Sequence, residues 1–338
     1  MKNTHQIIST DLATHDSEVA PETELESEMR ALSFSAAHHG MRLDLALTEL
    51  VPEFSRSYLQ QLIDLGGVTV NGKLAKKASA KVKAGDASAI ELRPTPQSQA
   101  FKAENLPLDI VFEDEFLLVI NKPAGMVVHP APGNWSGTLM NRLLGYDAQA
   151  FNLPRAGIVH RLDKDTSGLL VVARTRAVMD ALVQAIAART VKRQYLALAH
   201  GAWPSKGMRQ VDAPIGRDPG NRLRMAVVDL AIHGGKTAQT DFECLASVNN
   251  GCLLKCTLQT GRTHQIRVHL ASIGHALVAD QVYGGAMAAG MQRQALHAAR
   301  LAFSHPVTSR SLVFTAALPV DFSAALTDWG LTYNSCSF

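Results

Sequence analysis

Two short stretches near the start of the chain place apolar residues three and four positions apart, which predicts two amphipathic helices. The repeated positions are Leu43, Leu47 and Leu50 in the first stretch and Leu59, Leu62 and Ile63 in the second. Ser55 is a suitable N-cap for the second helix, and Gly66 and Gly67 end it. Apolar and polar residues then alternate around Asn71-Gly72, a pair that favours a tight hairpin turn, before a further short strand. The pattern predicts a small helix-helix-hairpin unit.

A second pattern begins near residue 107, where short apolar runs alternate with turns. The stretch "LDIVFEDEFLLVINKP" predicts two strands, and "LLVVART", "RQYLALAHG" and "LLKCTLQT" predict one strand each. One helix interrupts them, because Val178, Leu182 and Ile186 share a face of "RAVMDALVQAIAA". Strands with occasional helices are typical of an α+β domain with a mixed, mainly antiparallel sheet. We expect residues 107–338 to form this domain, with the polar, proline-containing residues 93–106 as a mobile linker before it.

The composition is typical of a soluble globular protein. The 338 residues are 46% hydrophobic and 19% charged, and no apolar run reaches the length of a membrane span. The N-terminus lacks the basic start and apolar core of a signal peptide, so we expect a cytoplasmic protein. The cysteines show neither a C-x-x-C pair nor a zinc spacing, and we expect them to be thiols in the protein core. They are Cys244, Cys252, Cys256 and Cys336.

Charge is distributed unevenly along the chain. Residues 1–30 hold seven acidic residues against Lys2 and Arg30, a balance of −5; since the whole chain carries +3, the rest carries +3 minus −5, or +8. This asymmetry predicts a disordered acidic tail and a polyanionic partner for the basic body. Five lysines with no acid among them form either a solvated hairpin face or a surface that follows phosphates. They are Lys73, Lys76, Lys77, Lys81 and Lys83.

The helix-helix-hairpin unit resembles the alpha-L RNA-binding domain. The resemblance rests on "RLD" at the first helix and on "SRSYLQQLIDLGGVTVNG" after it. In this domain, which a primary small-subunit ribosomal protein shares with some tRNA synthetases, basic residues on the second helix and the hairpin face RNA. We assign residues 31–92 to it. The resemblance implies RNA contacts at Arg42, Arg56, Lys73, Lys76 and Lys77.

Two clusters of charged residues stand out in the larger domain. In "HRLDKDTSGLLVVA", Asp163 lies in a polar turn before a buried strand, where a loop can present it; a turn rich in capping residues is the plainer explanation. In "QTGRTHQIRVHLASIGH", Arg262 and Arg267 suit a carboxylate or phosphate partner. The pattern disfavours a metal site, because His264 and His269 are five positions apart and point poorly toward one ion.

These two stretches, with "INKPAGMVVHPAPGN" and "KRQYLALAHG", closely resemble the pseudouridine synthases that modify large-subunit (23S) ribosomal RNA. The resemblance runs from about Met41 to Phe314, and the nearest type in that family is the bacterial one with an N-terminal alpha-L domain. It implies a pseudouridine synthase fold that isomerises uridine to pseudouridine without a metal or other cofactor, after the base has flipped out of the RNA. The implied partner is large-subunit ribosomal RNA or the assembling 50S subunit, bound by a monomer that needs neither a protein partner nor a membrane.

The resemblance also assigns catalytic roles. Asp163 matches the carboxylate that attacks the anomeric carbon, takes a sugar proton or stabilises positive charge on the sugar. Arg267 matches the cation that favours the charged form of this carboxylate. Tyr195 matches the tyrosine that stacks on the target base and later takes its proton.

Other matched residues have supporting roles. Arg161 is expected to fill the gap that the extruded base leaves, and His160 and Arg262 to contact RNA. The expected cleft-shaping residues are Lys122, Pro123 and His129. "IGRDPGNRLRMAV" forms either a mobile basic loop against RNA or a solvated turn, with Arg217, Arg222 and Arg224 as its cations. The chain has Ala276 and Ala279 where the family more often has proline and glycine, which makes a less rigid loop the expectation there.

Two other functions are consistent with parts of the sequence. An assembly factor that keeps the fold without catalysis needs no complete reactive set, whereas Asp163, Tyr195 and Arg267 are all present. A metal-dependent hydrolase would use His264 and His269 and would contain zinc or manganese.

Overall fold

The structure, a computed structural model, describes residues 28–92, 101–131, 133–204 and 207–333. The chain divides into two compact units, Met1–Thr95 and Pro96–Phe338. None of the helices in the described ranges is long and apolar enough to cross a membrane. The described cysteines, Cys244, Cys252 and Cys256, are free thiols, and Cys336 lies outside the described residues.

Two helices and a four-stranded antiparallel sheet form the first unit. Its elements are β1 (Glu28–Ser33), α1 (Leu43–Leu50), α2 (Arg56–Asp64), β2 (Val68–Val70), β3 (Lys73–Leu74) and β4 (Ala87–Leu92). The strands lie in the order β1-β4-β2-β3. Apolar side chains from both helices pack against β2 and β4 in one core. The predicted helix-helix-hairpin arrangement is confirmed.

The predicted ends of these elements are also confirmed. Ser55 Oγ accepts a hydrogen bond from the backbone N–H of Tyr58 at 3.3 Å, as an N-cap does. After α2 the chain turns at Gly66, whose φ of +74° lies in the left-handed region. Asn71 and Gly72, with φ of +50° and +72°, both take the left-handed conformation that a two-residue hairpin turn requires.

The predicted acidic tail, residues 1–30, ends earlier than expected. Residues 1–27 lie outside the described residues, whereas Glu28–Arg30 form the first half of β1. These three residues pair with Leu92, Glu91 and Ile90 of β4. Backbone hydrogen bonds to a sheet edge do not depend on side-chain polarity, which is why the charge of this segment gave no indication of a strand.

A larger sheet dominates the second unit. Its strands are β5 (Ile110–Glu113), β6 (Leu117–Lys122), β7 (Ser167–Ala173), β8 (Lys192–His200), β9 (Met208–Asp212), β13 (Gln239–Val248), β14 (Gly251–Leu258), β15 (Leu296–Ser304) and β16 (Ser311–Thr315). They lie in the order β5-β6-β7-β15-β8-β14-β13-β9, and β16 pairs with β15. Among these strands, β7 and β15 pair in parallel, and the other neighbouring pairs are antiparallel. The predicted mixed, mainly antiparallel sheet is confirmed.

Helices cover both faces of this sheet. They are α3 (Leu139–Tyr146), α4 (Arg176–Ala187), α5 (Gln265–Ser272) and α6 (Val320–Asp328). Residues of α3 and α5 share a core with Leu170 and Tyr195 on one face. On the opposite face α4 packs against Leu169 and Val171, and α6 packs against Leu196. Alternate residues of β7 and β8 therefore point to different cores, as the two-residue period of a strand requires.

The basic stretch after residue 214 forms a hairpin. Strands β10 (Ile215–Arg217), β11 (Met225–Val227) and β12 (Gly235–Lys236) make a small sheet in the order β11-β10-β12. Within the turn, Arg224 Nε binds the Asp218 carboxylate at 2.5 Å. One of the three arginines expected to act as loop cations is therefore paired within the hairpin.

The second half of the predicted linker belongs to the second unit. Residues 93–100 lie outside the described residues, but Glu104 accepts a hydrogen bond from the backbone N–H of Gly137 at 2.9 Å. Asn141 Nδ2 donates to the carbonyl of Lys102 at 2.9 Å. The expectation of a mobile linker is thus wrong for residues 101–106, because hydrogen bonds hold them to α3 and to the residues before it.

Gly168 is the position at which the parallel pair of strands begins. Its φ is +112°, and an added Cβ would lie 2.2 Å from the carbonyl oxygen of Ala298 in β15. A side chain there would separate β7 from β15 immediately after the turn that contains Asp163.

We predict that Gly168→Ala lowers the free energy of unfolding by about 3 kcal/mol, because it adds backbone strain and a backbone collision. Gly125→Ala is the matched control, since Gly125 has φ of +84° but open space around it; it should cost about 1 kcal/mol. Thermal unfolding of both variants measures the difference. Equal losses in the two variants would contradict the close packing of β7 on β15.

Candidate active site

A cavity of about 970 Å³ lies within the second unit. Its walls include the turn before β7, the start of β8 and the segment that leads into α5. Asp163, Tyr195 and Arg267 all line it, although Asp163 and Arg267 are 104 positions apart in the chain. The fold therefore brings the three predicted catalytic residues to one place.

Arg267 binds two carboxylates at once. Its Nε and Nη2 donate to the two carboxylate oxygens of Asp280 at 2.7 and 2.8 Å, and its Nη1 donates to Asp163 Oδ2 at 3.1 Å. Arg267 is 5% exposed and Asp280 is 1% exposed. Burial acts to lower the pKa of Arg267, but Asp280 and Asp163 outweigh it and raise this pKa above its ordinary value. The guanidinium is therefore a fixed cation that orients the Asp163 carboxylate.

His264 and Tyr283 complete the surroundings of this ion pair. The Tyr283 ring lies under the guanidinium of Arg267, with 5.0 Å between Cζ and the ring centroid. Its hydroxyl is hydrogen-bonded to His264 Nδ1 at 2.8 Å, and His264 Nε2 lies 3.9 Å from Asp163 Oδ1. His264 precedes α5 with φ of +57°, a strained conformation that functional sites retain. Burial lowers the pKa of His264, which favours a neutral ring.

Two basic side chains, the buried Lys122 and the partly buried Arg293, hold the turn that presents Asp163. Lys122, which is 0% exposed, donates from Nζ to three backbone carbonyls, among them that of Lys164 at 3.0 Å. Arg293 Nη1 donates to the carbonyl of Asp165 at 2.9 Å. Burial lowers the pKa of Lys122 to about 7, while Asp165 and Asp163 act to raise it. Lys122 therefore supports the turn from beneath, in line with the expectation that it shapes the cleft.

Tyr195 lines the cavity from β8 and is 5% exposed. Burial raises the pKa of its phenol to about 12, with a smaller opposing effect from Arg193. At neutral pH the hydroxyl is therefore protonated. The ring can stack on a base, but it accepts a proton only after its own proton has been removed.

The RNA contacts predicted near the cavity occupy different environments. Arg161 is exposed, and Arg262 is half-buried, with Nε donating to the carbonyl of Thr237 at 3.0 Å. His160 is half-buried and also lines the cavity, and its Nε2 accepts a hydrogen bond from the N–H of Val171 at 3.3 Å. Burial, followed by the effect of Arg193, lowers the pKa of His160 to about 3, so its ring is neutral at physiological pH.

In the first unit, the two predicted RNA-binding arginines share one buried carboxylate. Arg42 and Arg56 both bind Asp44, which is 0% exposed, and Gln60 Nε2 donates to the same carboxylate at 2.6 Å. The bond from Arg42 holds the pKa of Asp44 well below its usual range, against the effect of burial. Each arginine side chain remains nearly half exposed. The predicted lysines, Lys73, Lys76 and Lys77, are exposed.

The histidines proposed as metal ligands have separate protein partners. His269 is buried, and its ring is hydrogen-bonded to Thr240 Oγ1 and to the carbonyl of Ala213, both at 2.9 Å. The ring of His264 is bonded to Tyr283 instead. Across the described part of the chain, no group of three or more His, Cys, Asp or Glu residues could hold a metal ion.

Sequence reasoning did not identify Asp280 and Tyr283. Both lie in "ALVADQVYGG", directly after "TGRTHQIRVHLASIGH". The available signal in the sequence was an acidic residue and a tyrosine shortly after Arg267. Ala279 has φ of +58°, a left-handed conformation that explains why glycine suits this position. The backbone N–H of Ala279 donates to the carbonyl of Ala286 at 2.8 Å, and the lower rigidity of this loop stays a prediction.

Comparisons with known families match both units. A family model described as RNA pseudouridylate synthase matches residues 116–272, which include Asp163, Tyr195 and Arg267. An S4 domain model matches residues 41–88 of the first unit.

Curated relatives cover most of the chain. The ribosomal large subunit pseudouridine synthase D of Neisseria meningitidis serogroup B is 44% identical over 317 residues, which are 90% of this chain and 83% of that protein. The protein of the same name from Nitrosomonas europaea is 48% identical over 295 residues, 85% of this chain and 84% of the relative. That of Yersinia pestis is 44% identical and covers 83% of this chain and 89% of the relative.

Solved structures share the fold of the larger unit. The human RNA Pseudouridylate Synthase Domain Containing 1 aligns with a TM-score of 0.52 and 25% identity, over 66% of this chain and 89% of that one. The human RNA Pseudouridylate Synthase Domain Containing 4 gives the same TM-score and identity, over 66% of this chain and 94% of the other. The resemblance drawn from the sequence motifs is confirmed.

We predict that Asp280→Asn lowers the free energy of unfolding by about 3 kcal/mol or more, because it leaves Arg267 a buried cation with one carboxylate instead of two. Asp321→Asn is the matched control. Asp321 also binds an arginine, Arg293, through both carboxylate oxygens, but its side chain is 40% exposed. Asp321→Asn should lower the free energy of unfolding by about 1 kcal/mol or less. Denaturant unfolding that finds both variants equally stable would contradict a structural role for the Arg267–Asp280 pair.

Proposed function

Because the chain belongs to the RNA pseudouridylate synthase family, we propose that it isomerises uridine to pseudouridine in large-subunit (23S) ribosomal RNA. Its curated relatives are named for the ribosomal large subunit, which supports this choice of substrate. The main support for the proposal is that Asp163, Tyr195 and Arg267 line the same cavity. Its volume of about 970 Å³ is ample for an extruded nucleotide.

The proposed reaction starts at the carboxylate of Asp163. Attack on the anomeric carbon would break the bond to the ring nitrogen and form a glycosyl ester; removal of a sugar proton would break the same bond and leave a glycal. Both routes need an ionised carboxylate at a fixed position, which the bond from Arg267 Nη1 supports. The base then turns within the cavity and rejoins the sugar through a ring carbon. Neither route needs a change of oxidation state.

A base in structured RNA reaches Asp163 only after it leaves the stack. Tyr195 would receive the extruded base, and stacking on an aromatic ring offsets part of the energy of flipping, by about 1–3 kcal/mol. Arg161 is exposed beside the same cavity, where it could fill the gap in the RNA.

RNA affinity would come from the basic surface of the first unit. Asp44 fixes Arg42 and Arg56 in place without covering them, and the exposed lysines of the hairpin add charge that releases counterions on binding. Free ribosomal RNA and the assembling 50S subunit both offer a suitable polyanion. The reaction would take place in the cytoplasm. The protein would act as a monomer, because the large RNA partner itself supplies the interface.

We predict that Asp163→Asn lowers the single-turnover rate of pseudouridine formation in 23S ribosomal RNA transcripts by at least about 10³-fold, because an amide is not a nucleophile or a base. Asp165→Asn, a change of the same size in the same turn, should stay within about threefold of wild type. Nuclease digestion and mass spectrometry measure the product. Small-subunit ribosomal RNA serves as the control substrate.

Two results would contradict the proposal. An Asp163→Asn variant with the wild-type rate would remove the catalytic assignment. A wild-type protein that binds 23S ribosomal RNA without forming pseudouridine would favour the assembly factor.

A further inference from the structure

Arg193 is a buried cation for which the reaction as described has no use. It lies two residues before Tyr195 on β8, so both side chains point to the same face of the sheet, and both line the cavity. Arg193 is 6% exposed, and the described residues provide no hydrogen bond or ion pair for its guanidinium. Its Nε is buried without a partner in that part of the chain. An unpaired charge that is largely buried costs stability, which points to a partner that arrives with the bound RNA.

The surroundings of Arg193 leave room for such a partner. An added Cβ at Gly261 would lie 2.8 Å from Arg193 Nη1, so the absence of a side chain at Gly261 creates space beside the guanidinium. The charge of Arg193 is felt at its neighbours, because it acts to lower the pKa values of both Tyr195 and His160. Arg193 thus stands beside the ring on which the base would stack.

The other cations of the cavity are already occupied or lie nearer to solvent. Arg267 is neutralised by Asp163 and Asp280. Arg161 and Arg189 are exposed, which suits them to backbone phosphates. Arg193 is too deeply buried for that role, and a flipped base is the part of RNA that penetrates furthest.

The chemistry of the first step creates a charge beside Tyr195. When the bond between the anomeric carbon and N1 breaks, N1 keeps the electron pair, and the negative charge spreads to the O2 and O4 carbonyl oxygens of the uracil ring. Preorganised donors aimed at developing charge in a buried site stabilise transition states strongly. A guanidinium offers several N–H donors in a plane, which fits a carbonyl oxygen of the base.

We propose that Arg193 is a catalytic residue whose guanidinium donates hydrogen bonds to a carbonyl oxygen of the flipped uracil and stabilises the anion formed as the glycosidic bond breaks. This role rests on the proposed function. The arginine stays protonated throughout. When C5 later donates an electron pair to the anomeric carbon, the bond to Asp163 breaks or the sugar proton returns, C5 loses its proton, N1 gains one, and the charge near Arg193 disappears.

The test compares Arg193→Met and Arg193→Lys with wild type at saturating RNA in single turnover. Transcripts of 23S ribosomal RNA carry either uridine or 5-fluorouridine, whose fluorine stabilises the departing anion without help from the protein. Loss of the parent nucleoside, measured by mass spectrometry, reports the cleavage step for both. Arg193→Met should be about 10²–10³-fold slower on uridine, and the deficit should shrink about tenfold or more on 5-fluorouridine. Arg193→Lys should fall between wild type and Arg193→Met.

Two further measurements separate catalysis from structure and from binding. Thermal unfolding of Arg193→Met should show a melting temperature at or above that of wild type, because the substitution removes an unpaired buried charge. Arg189→Met, which removes an exposed cation from the same cavity, should weaken RNA binding more than it slows the saturated reaction.

Several outcomes would overturn the role of Arg193. They are a wild-type rate in Arg193→Met, an equal deficit on both bases, a loss of affinity without a loss of rate, and a lower melting temperature in Arg193→Met. A wild-type protein that converts neither RNA would instead contradict the proposed function itself, and so the two failures are distinguishable.

Discussion

Arg267 binds two carboxylates from a position that is almost wholly buried. The Nε and Nη2 groups of Arg267 donate hydrogen bonds to Asp280, and its Nη1 donates to Asp163. Because an unpaired buried charge would cost several kcal/mol of stability, the arrangement ties α5, the loop after it and the turn before β7 to one geometry. The position of the Asp163 carboxylate therefore depends on a charge balance that also stabilises the fold.

Strand pairing fixes the same turn from the other side. Gly168 allows β7 to approach β15 closely, and Lys122 fastens the carbonyl of Lys164 from within the core. Asp163 thus belongs to a turn held by backbone as well as by side chains. Such preorganisation suits a reaction in which the enzyme must extrude the base and position it against a carboxylate that does not move. In the other unit, the buried carboxylate of Asp44 orients the half-exposed side chains of Arg42 and Arg56 in a similar way.

Local patterns predicted the elements well, since the helices at Leu43–Leu50 and Arg56–Asp64 depend on spacing and caps close in sequence. The motifs also predicted which residues would meet in the cavity. What could not be read locally was pairing over long distances and the state of buried charges. Asp280 was missed because its importance arises only when Arg267 is buried. Strand β1 was missed because its partner, β4, lies more than fifty residues later.

The proposed function is tested most directly by mapping the pseudouridines of ribosomal RNA in cells that lack this protein. The sites are read by carbodiimide labelling and primer extension. The cells are complemented either with the wild-type chain or with Asp163→Asn. We predict that particular pseudouridines disappear from the large-subunit RNA and that only the wild-type chain restores them. An unchanged set of large-subunit pseudouridines, or restoration by Asp163→Asn, would contradict the proposed function.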